Sequence, residues 1–178
     1  MAQIIASACV YQAGWFVCVL WGDYAALACV ALSILFVYYL FNPPKRVWIN
    51  AVRVTAVGCA MDAILVYMGF YAVASESPTL PLWLACIWAL FALALPYGFS
   101  FLAGRYVLAS VLGALGGPLA YVGGAALSPA LSLALPALEA AAILALLWAA
   151  MMPYLVWLTR TGQEQSASAL SKEQEVLE

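Results

Sequence analysis

Residues 24–46 read YAALACVALSILFVYYLFNPPKR, and this stretch decides the fold. From Tyr24 to Phe41 no side chain is charged, a run close to the ~20 residues that a helix needs to cross a hydrocarbon layer about 30 Å thick. Asn42-Pro43-Pro44 then breaks the run, because neither proline can donate a helical hydrogen bond. Lys45 and Arg46, the first cations in the chain, follow at once. An apolar span, a breaker and a basic anchor in that order are the signature of a helix leaving a membrane.

The rest of the chain repeats the pattern. Of its 178 residues 68% are hydrophobic and 8% charged, against about 45–50% and about 25% in a soluble domain. A soluble fold of this size has too little interior to hide so much apolar surface, so the expectation is an integral membrane protein. Six Lys and Arg make no basic patch, which excludes nucleic acid as a partner. With no histidine, His-ligated zinc or haem and a Ser-His-Asp triad are excluded as well. Cys9, Cys18, Cys29, Cys59 and Cys86 lie in apolar stretches without a Cys-xx-Cys pair and read as packing residues. No metal, no cofactor and no catalytic residue is expected.

Punctuation by Gly, Pro and charge gives six candidate transmembrane helices at about 3–21, 24–41, 48–73, 80–103, 106–126 and 131–158. The first lacks the basic start of a secretory signal and reads as a retained helix. Residues 161–178 form a polar tail, disordered or weakly helical. With the N-terminus inside, the inner segments hold Lys45, Arg46, Arg53, Arg105, Arg160 and Lys172, while the outer loops hold Asp23 and Glu76 and no cation. That segregation follows the positive-inside rule and predicts an all-α, six-helix bundle with both termini cytoplasmic. Trp21, Tyr24, Trp48, Tyr71, Trp83, Tyr106 and Trp157 fall near the interfaces as an aromatic belt would.

Two acids sit inside these spans. Asp62 falls near the middle of the third, and Glu139 about 10 Å outward of the middle of the sixth. Burial at such depth disfavours a charge unless a partner holds it, and Tyr67, Tyr121, Gln12 or a hydroxyl are the candidates. The pair point either to a proton-coupled or head-group site or to a carboxyl group tying two helices together. On the fifth span Ala109, Gly113, Gly117 and Tyr121 recur every fourth residue, as do Gly116, Ala120 and Gly124. Such rows allow close helix approach, against the sixth helix or across a homodimer seam. Pro118 in the fifth helix and Pro96, beside Tyr97, in the fourth each free a backbone carbonyl and suit helices that line a cavity. The two halves of the chain would be inverted repeats, though they share almost no residue identity.

Several stretches resemble a known family. Tyr11-Gln12-Ala13-Gly14-Trp15-Phe16, Met61-Asp62-Ala63-Ile64-Leu65 with Gly69, Trp88-Ala89-Leu90-Phe91-Ala92, and Leu112 to Tyr121 with Gly124 occur in the order found in small bacterial inner-membrane proteins of uncharacterised function. These are often encoded beside a cyclopropane-fatty-acid-synthase-like methyltransferase and a flavin amine-oxidase-like protein. Where that family carries a polar Asn-His-Ser-like stretch, this chain has Leu95-Pro96-Tyr97-Gly98-Phe99-Ser100. The resemblance implies a multi-pass protein of the bacterial inner membrane in a setting of lipid modification or stress, with membrane lipids and lipid-modifying neighbours as partners. The first expectation is a protein that binds, presents or moves acyl lipid at a site among Asp62, Tyr67, Pro96, Tyr97, Gly117, Pro118, Tyr121 and Glu139. The alternative is a small proton-coupled transporter using Asp62, and the third an intramembrane lipid-modifying enzyme.

Overall fold

A computed structural model describes the backbone of residues 1–73 and 80–177 and the side chains of 1–72 and 80–160. The expected outer loop with Glu76 and the side chains of the polar tail, Lys172 included, lie outside the described residues. Six α-helices follow in order: α1 Ala2–Trp21, α2 Asp23–Phe41, α3 Lys45–Tyr67, α4 Leu82–Gly98, α5 Tyr106–Leu127 and α6 Ala137–Leu177. A 3-10 turn, Ser100–Leu102, links α4 to α5, and two short strands, β1 Tyr71–Val73 and β2 Leu131–Leu133, lie in the α3–α4 and α5–α6 connections. All helices but α4 are long and apolar enough to cross a membrane, which fits a multi-pass membrane protein.

The helix ends explain where structure and sequence reading part. The third helix stops at Tyr67 rather than continuing to 73, because Gly69 takes φ 70°. The Phe70 N–H then bonds to the Leu65 carbonyl and the Gly69 N–H to that of Val66, both at 2.9 Å, which is a Schellman cap. Strand β1 that follows pairs antiparallel with β2, Tyr71 opposite Leu133 and Val73 opposite Leu131. Residues 131–133 are thus strand, and α6 starts only after Pro136, whose carbonyl accepts from Ala140 at 3.0 Å.

Helix α4 is the centre of the bundle. It packs against α1, α2 and α3, while α5 and α6 form the most extensive pair beside them. Residues 90–95 of α4 are all buried, as are Trp83, Leu84, Cys86 and Trp88. Its first turn meets the α1–α2 turn, where Asp23 Oδ1 accepts from the Trp83 backbone N–H at 2.9 Å. Its last turn meets the far end of α2, where Tyr97 stacks on Phe41 with ring centroids 3.8 Å apart. So α4, only 17 residues long, still runs the length of a neighbour long enough to cross. At that same end Asn50 Nδ2 donates to the Thr159 carbonyl at 3.2 Å and Gly104 lies beside Arg160, which brings the basic ends of α3, α5 and α6 together. The strand pair and Asp23 mark the opposite end, called here the sheet end.

Candidate functional site

Asp62 is the one acidic side chain in the described interior, with 0% of its surface exposed. Helix α3 presents it toward α4 and α5. Its Oδ2 accepts from the Trp88 indole N–H at 2.7 Å, and its Oδ1 accepts a short hydrogen bond from the Tyr121 hydroxyl. The Tyr71 hydroxyl, reaching in from β1, donates to the Asp62 backbone carbonyl at 3.4 Å. Three separate segments therefore converge on one residue. In a low-dielectric interior each such bond is worth more than in water, and a missing one costs more.

Two tryptophans build the wall beside this network. Trp88 of α4 and Trp148 of α6 lie parallel, centroids 5.4 Å apart and planes within 6°. The stack fits because the facing helices have no side chain there. A Cβ at Gly58 of α3 would overlap the Trp88 ring, and one at Gly117 of α5 would overlap Trp148. The order through the bundle is thus Gly58, Trp88, Trp148, Gly117. Gly113, one turn below Gly117, gives the same room to the Trp148 backbone and Met152. The Trp148 Nε1 hydrogen is buried and has no acceptor.

Two empty spaces adjoin the stack. One, about 50 Å³, is walled by Asp62, Trp88, Tyr121 and Trp148 together with Trp83 and Leu131 toward the sheet end. The other is a cleft of about 510 Å³ between α1 and α5, within the usual range of about 300–1,000 Å³ for a small-molecule site. Tyr11, Trp15 and Phe16 form its α1 wall, and Gly116, Ala120 and Gly123 its α5 wall. Tyr11, Trp15, Phe91, Ala120 and Trp148 line both spaces, so the cavity and the cleft are neighbours that share these five residues as wall. No Lys or Arg lines either one, and Gln12 carries the only amide. A carboxyl group with both oxygens already bonded, an orphan indole N–H and an apolar cleft can bind and orient an apolar ligand.

The residues singled out in sequence divide between three places. Asp62, Tyr121 and Gly117 meet around the tryptophan stack, with Pro118 buried in the next position of α5. Pro96 and Tyr97 lie about 12–14 Å beyond Trp88 along α4, at the basic end, where Pro96 and Ser100 border a separate small pocket with Thr159 and Arg160. Tyr67, 92% exposed, points away from Asp62 at the end of α3. Glu139 is exposed in the first turn of α6, because the helix begins six residues later than position 131, and a carboxylate there faces the positive end of the helix dipole. Among the glycines of α5, Gly113, Gly117 and Gly124 face the chain's own interior, whereas Gly116 has open space above it. Trp88, Trp148, Tyr71 and Gly58 complete the site. An aromatic residue in an apolar helix reads as packing, and a solitary glycine shows no spacing, so only the apolar surroundings of Asp62 pointed toward them.

No curated protein and no solved structure matches the chain. Residues 4–154, which include all of the tryptophan stack, Asp62 and both walls of the cleft, match the model of a family described as proteins of unknown function, and the chain accordingly belongs to the DUF2878 family.

Proposed function

We propose that this chain is a non-catalytic membrane protein that takes an acyl chain sideways from the bilayer into the cleft between α1 and α5. The observation that carries the reading is the cleft itself: about 510 Å³ of apolar and aromatic wall without a cation, between helices apolar enough to be surrounded by lipid. In that position the medium at its mouth is hydrocarbon, so an acyl chain is the occupant present at the highest concentration. The proposal includes six crossings, with α4 as the sixth and both termini cytoplasmic. The bacterial inner membrane and a lipid-modifying neighbour are the setting that the family resemblance implies.

Gly116 and Gly123 supply the test, since a Cβ on either meets nothing within 4 Å. Gly116→Leu and Gly123→Leu fill the cleft and leave the helix contacts alone. In detergent, delipidated wild-type protein is expected to show saturable quenching of tryptophan fluorescence by chain-brominated phospholipid. Each filled variant should weaken that binding about tenfold or more, as displacing two methylenes from an apolar site would. Quenching that never saturates, or that survives in both variants, overturns the reading. A homodimer seam on α5 is restricted to this same face, because Gly113 and Gly117 are covered by Trp148 and Met152. Cross-linking of two copies through Gly116→Cys, in place of lipid quenching, would move the proposal to a dimer. The place of Asp62 in the cavity wall favours a second reading, proton-coupled transport. Uptake driven by a pH gradient in proteoliposomes and lost in a folded Asp62→Asn variant would put that reading first.

A further inference from the structure

We propose that the small cavity beside the cleft recognises an uncharged carbonyl oxygen on the apolar ligand, with Nε1 of Trp148, a residue of the shared wall, as the donor. This rests on the lateral-binding reading and deepens it by naming the ligand's polar group. The indole N–H is buried and unpartnered, although buried donors in folded proteins are nearly always satisfied. The Asp62 carboxyl, which lines the same cavity, already holds two donors. Asp62 Oδ1 receives the Tyr121 hydroxyl and Oδ2 receives Trp88, whose ring lies flat against Trp148. An indole nitrogen can only donate, so the group that completes it must accept.

The surroundings exclude the charged acceptors. No Lys or Arg lines the cavity or the cleft, and the one acidic side chain in either lining is Asp62. A fatty-acid carboxylate or a phosphate would enter an apolar site without a counter-charge and next to an acid, which is strongly unfavourable. What remains is a neutral acceptor carried on an apolar chain, and the carbonyl is the strongest such acceptor that an apolar membrane ligand carries. Two sources share that chemistry: the ester carbonyl of an acyl lipid and the ring carbonyl of an isoprenoid quinone. The aromatic walls of Tyr11, Trp15 and Phe91 accept either a chain or a flat ring.

The test uses the full chain in detergent and displaces a bound chain-brominated phospholipid with competitors of equal chain length: an alkane, the methyl ester and the fatty-acid anion. The ester should displace at about five- to tenfold lower concentration than the alkane, the worth of one hydrogen bond to an otherwise unsatisfied donor. The anion should be weaker than the ester. In Trp148→Phe, which keeps a ring on Trp88 but removes the N–H, ester and alkane should become equal. An isoprenoid quinone added to the series distinguishes the two sources: displacement tighter than the ester assigns the ring carbonyl, weaker assigns the ester. Equal displacement by ester and alkane in the wild type, or a preference for the anion, overturns the proposal even if Trp148→Phe does not fold. Failure of every competitor, alkane included, rejects lateral lipid binding itself.

Discussion

At the scale of single residues the fold turns on how Asp62 is housed. An aspartate near the middle of a membrane-spanning helix costs at least about 2.5–3.5 kcal/mol on insertion scales, and this one is offset by a hydrogen bond to each carboxyl oxygen. Tyr121→Phe leaves Oδ1 with no donor and should destabilise the protein by about 1–3 kcal/mol, read as a drop of several degrees in the Tm of the detergent-solubilised protein. Asp62→Asn keeps one acceptor oxygen and turns an NH2 group toward the other donor, so it weakens one of the two bonds. If Tyr121 and Asp62 act through one bond, the double variant loses less than the sum of the two singles, whereas additive losses would show that the bond contributes nothing to stability. Much of this was legible in the sequence. An acid inside an apolar run signals itself, and Tyr121 drew notice through its place in the glycine rows. Trp88 drew notice only in the family motif and not as a partner of Asp62, since the polar nitrogen of an indole is hidden within a residue counted as apolar. Glu139 looked equivalent to Asp62 only while the sixth helix was counted from position 131. Once β2 and Pro136 take up the first residues, that acid sits in the first, exposed turn.

At the scale of helices the tryptophan stack sets which glycines matter. In a bilayer the lipid is as apolar as a leucine side chain, so helices associate through fit rather than through the exclusion of water. Gly58 and Gly117 provide that fit from opposite sides of the Trp88–Trp148 pair. Gly58→Ala and Gly117→Ala should each cost about 1–3 kcal/mol, because the overlapped atoms belong to rigid rings pinned by each other. Gly116→Ala, with open space above it, should be neutral or should gain up to about 1 kcal/mol from helix propensity. Thermal melts of the three variants in one detergent check the contrast, and a Gly116→Ala loss as large as that of Gly117→Ala would refute it. The spacing of the α5 glycines announced a packing face but not which of its two rows faced inward, since a row of small residues looks alike from either side. The strand pair was illegible for a different reason. Three-residue strands of Tyr71-Ala72-Val73 and Leu131-Ser132-Leu133 look like helix ends when the residues on their helix side are apolar, and only the glycine cap at Gly69 and the proline at 136 separate them.

At the scale of the whole molecule the sequence pattern and the packing constrain the topology from different directions. The proposed sidedness rests on the cations, because their positions do not depend on where each helix ends. The packing adds the placement of α4: its first turn is tied to Asp23 and its last to Phe41, the two ends of α2. Hydropathy alone does not reveal that α4 is central, since a helix surrounded by other helices and one surrounded by lipid have the same composition. A 17-residue helix spans only about 26 Å, short for a lipid-exposed crossing but sufficient for one sheathed by α1, α2 and α3. Single cysteines in a background without the native ones test this directly with a membrane-impermeant thiol reagent. Tyr24→Cys and Leu80→Cys should label from one side of the membrane, and Lys45→Cys and Arg105→Cys from the other. Should Leu80→Cys and Arg105→Cys label from the same side, α4 enters and returns without crossing and the termini lie on opposite faces. The tie from Asp23 to Trp83 argues against that outcome. A re-entrant α4 would have to bring Gly98 back to the sheet end, whereas the Tyr97–Phe41 stack holds it at the basic one.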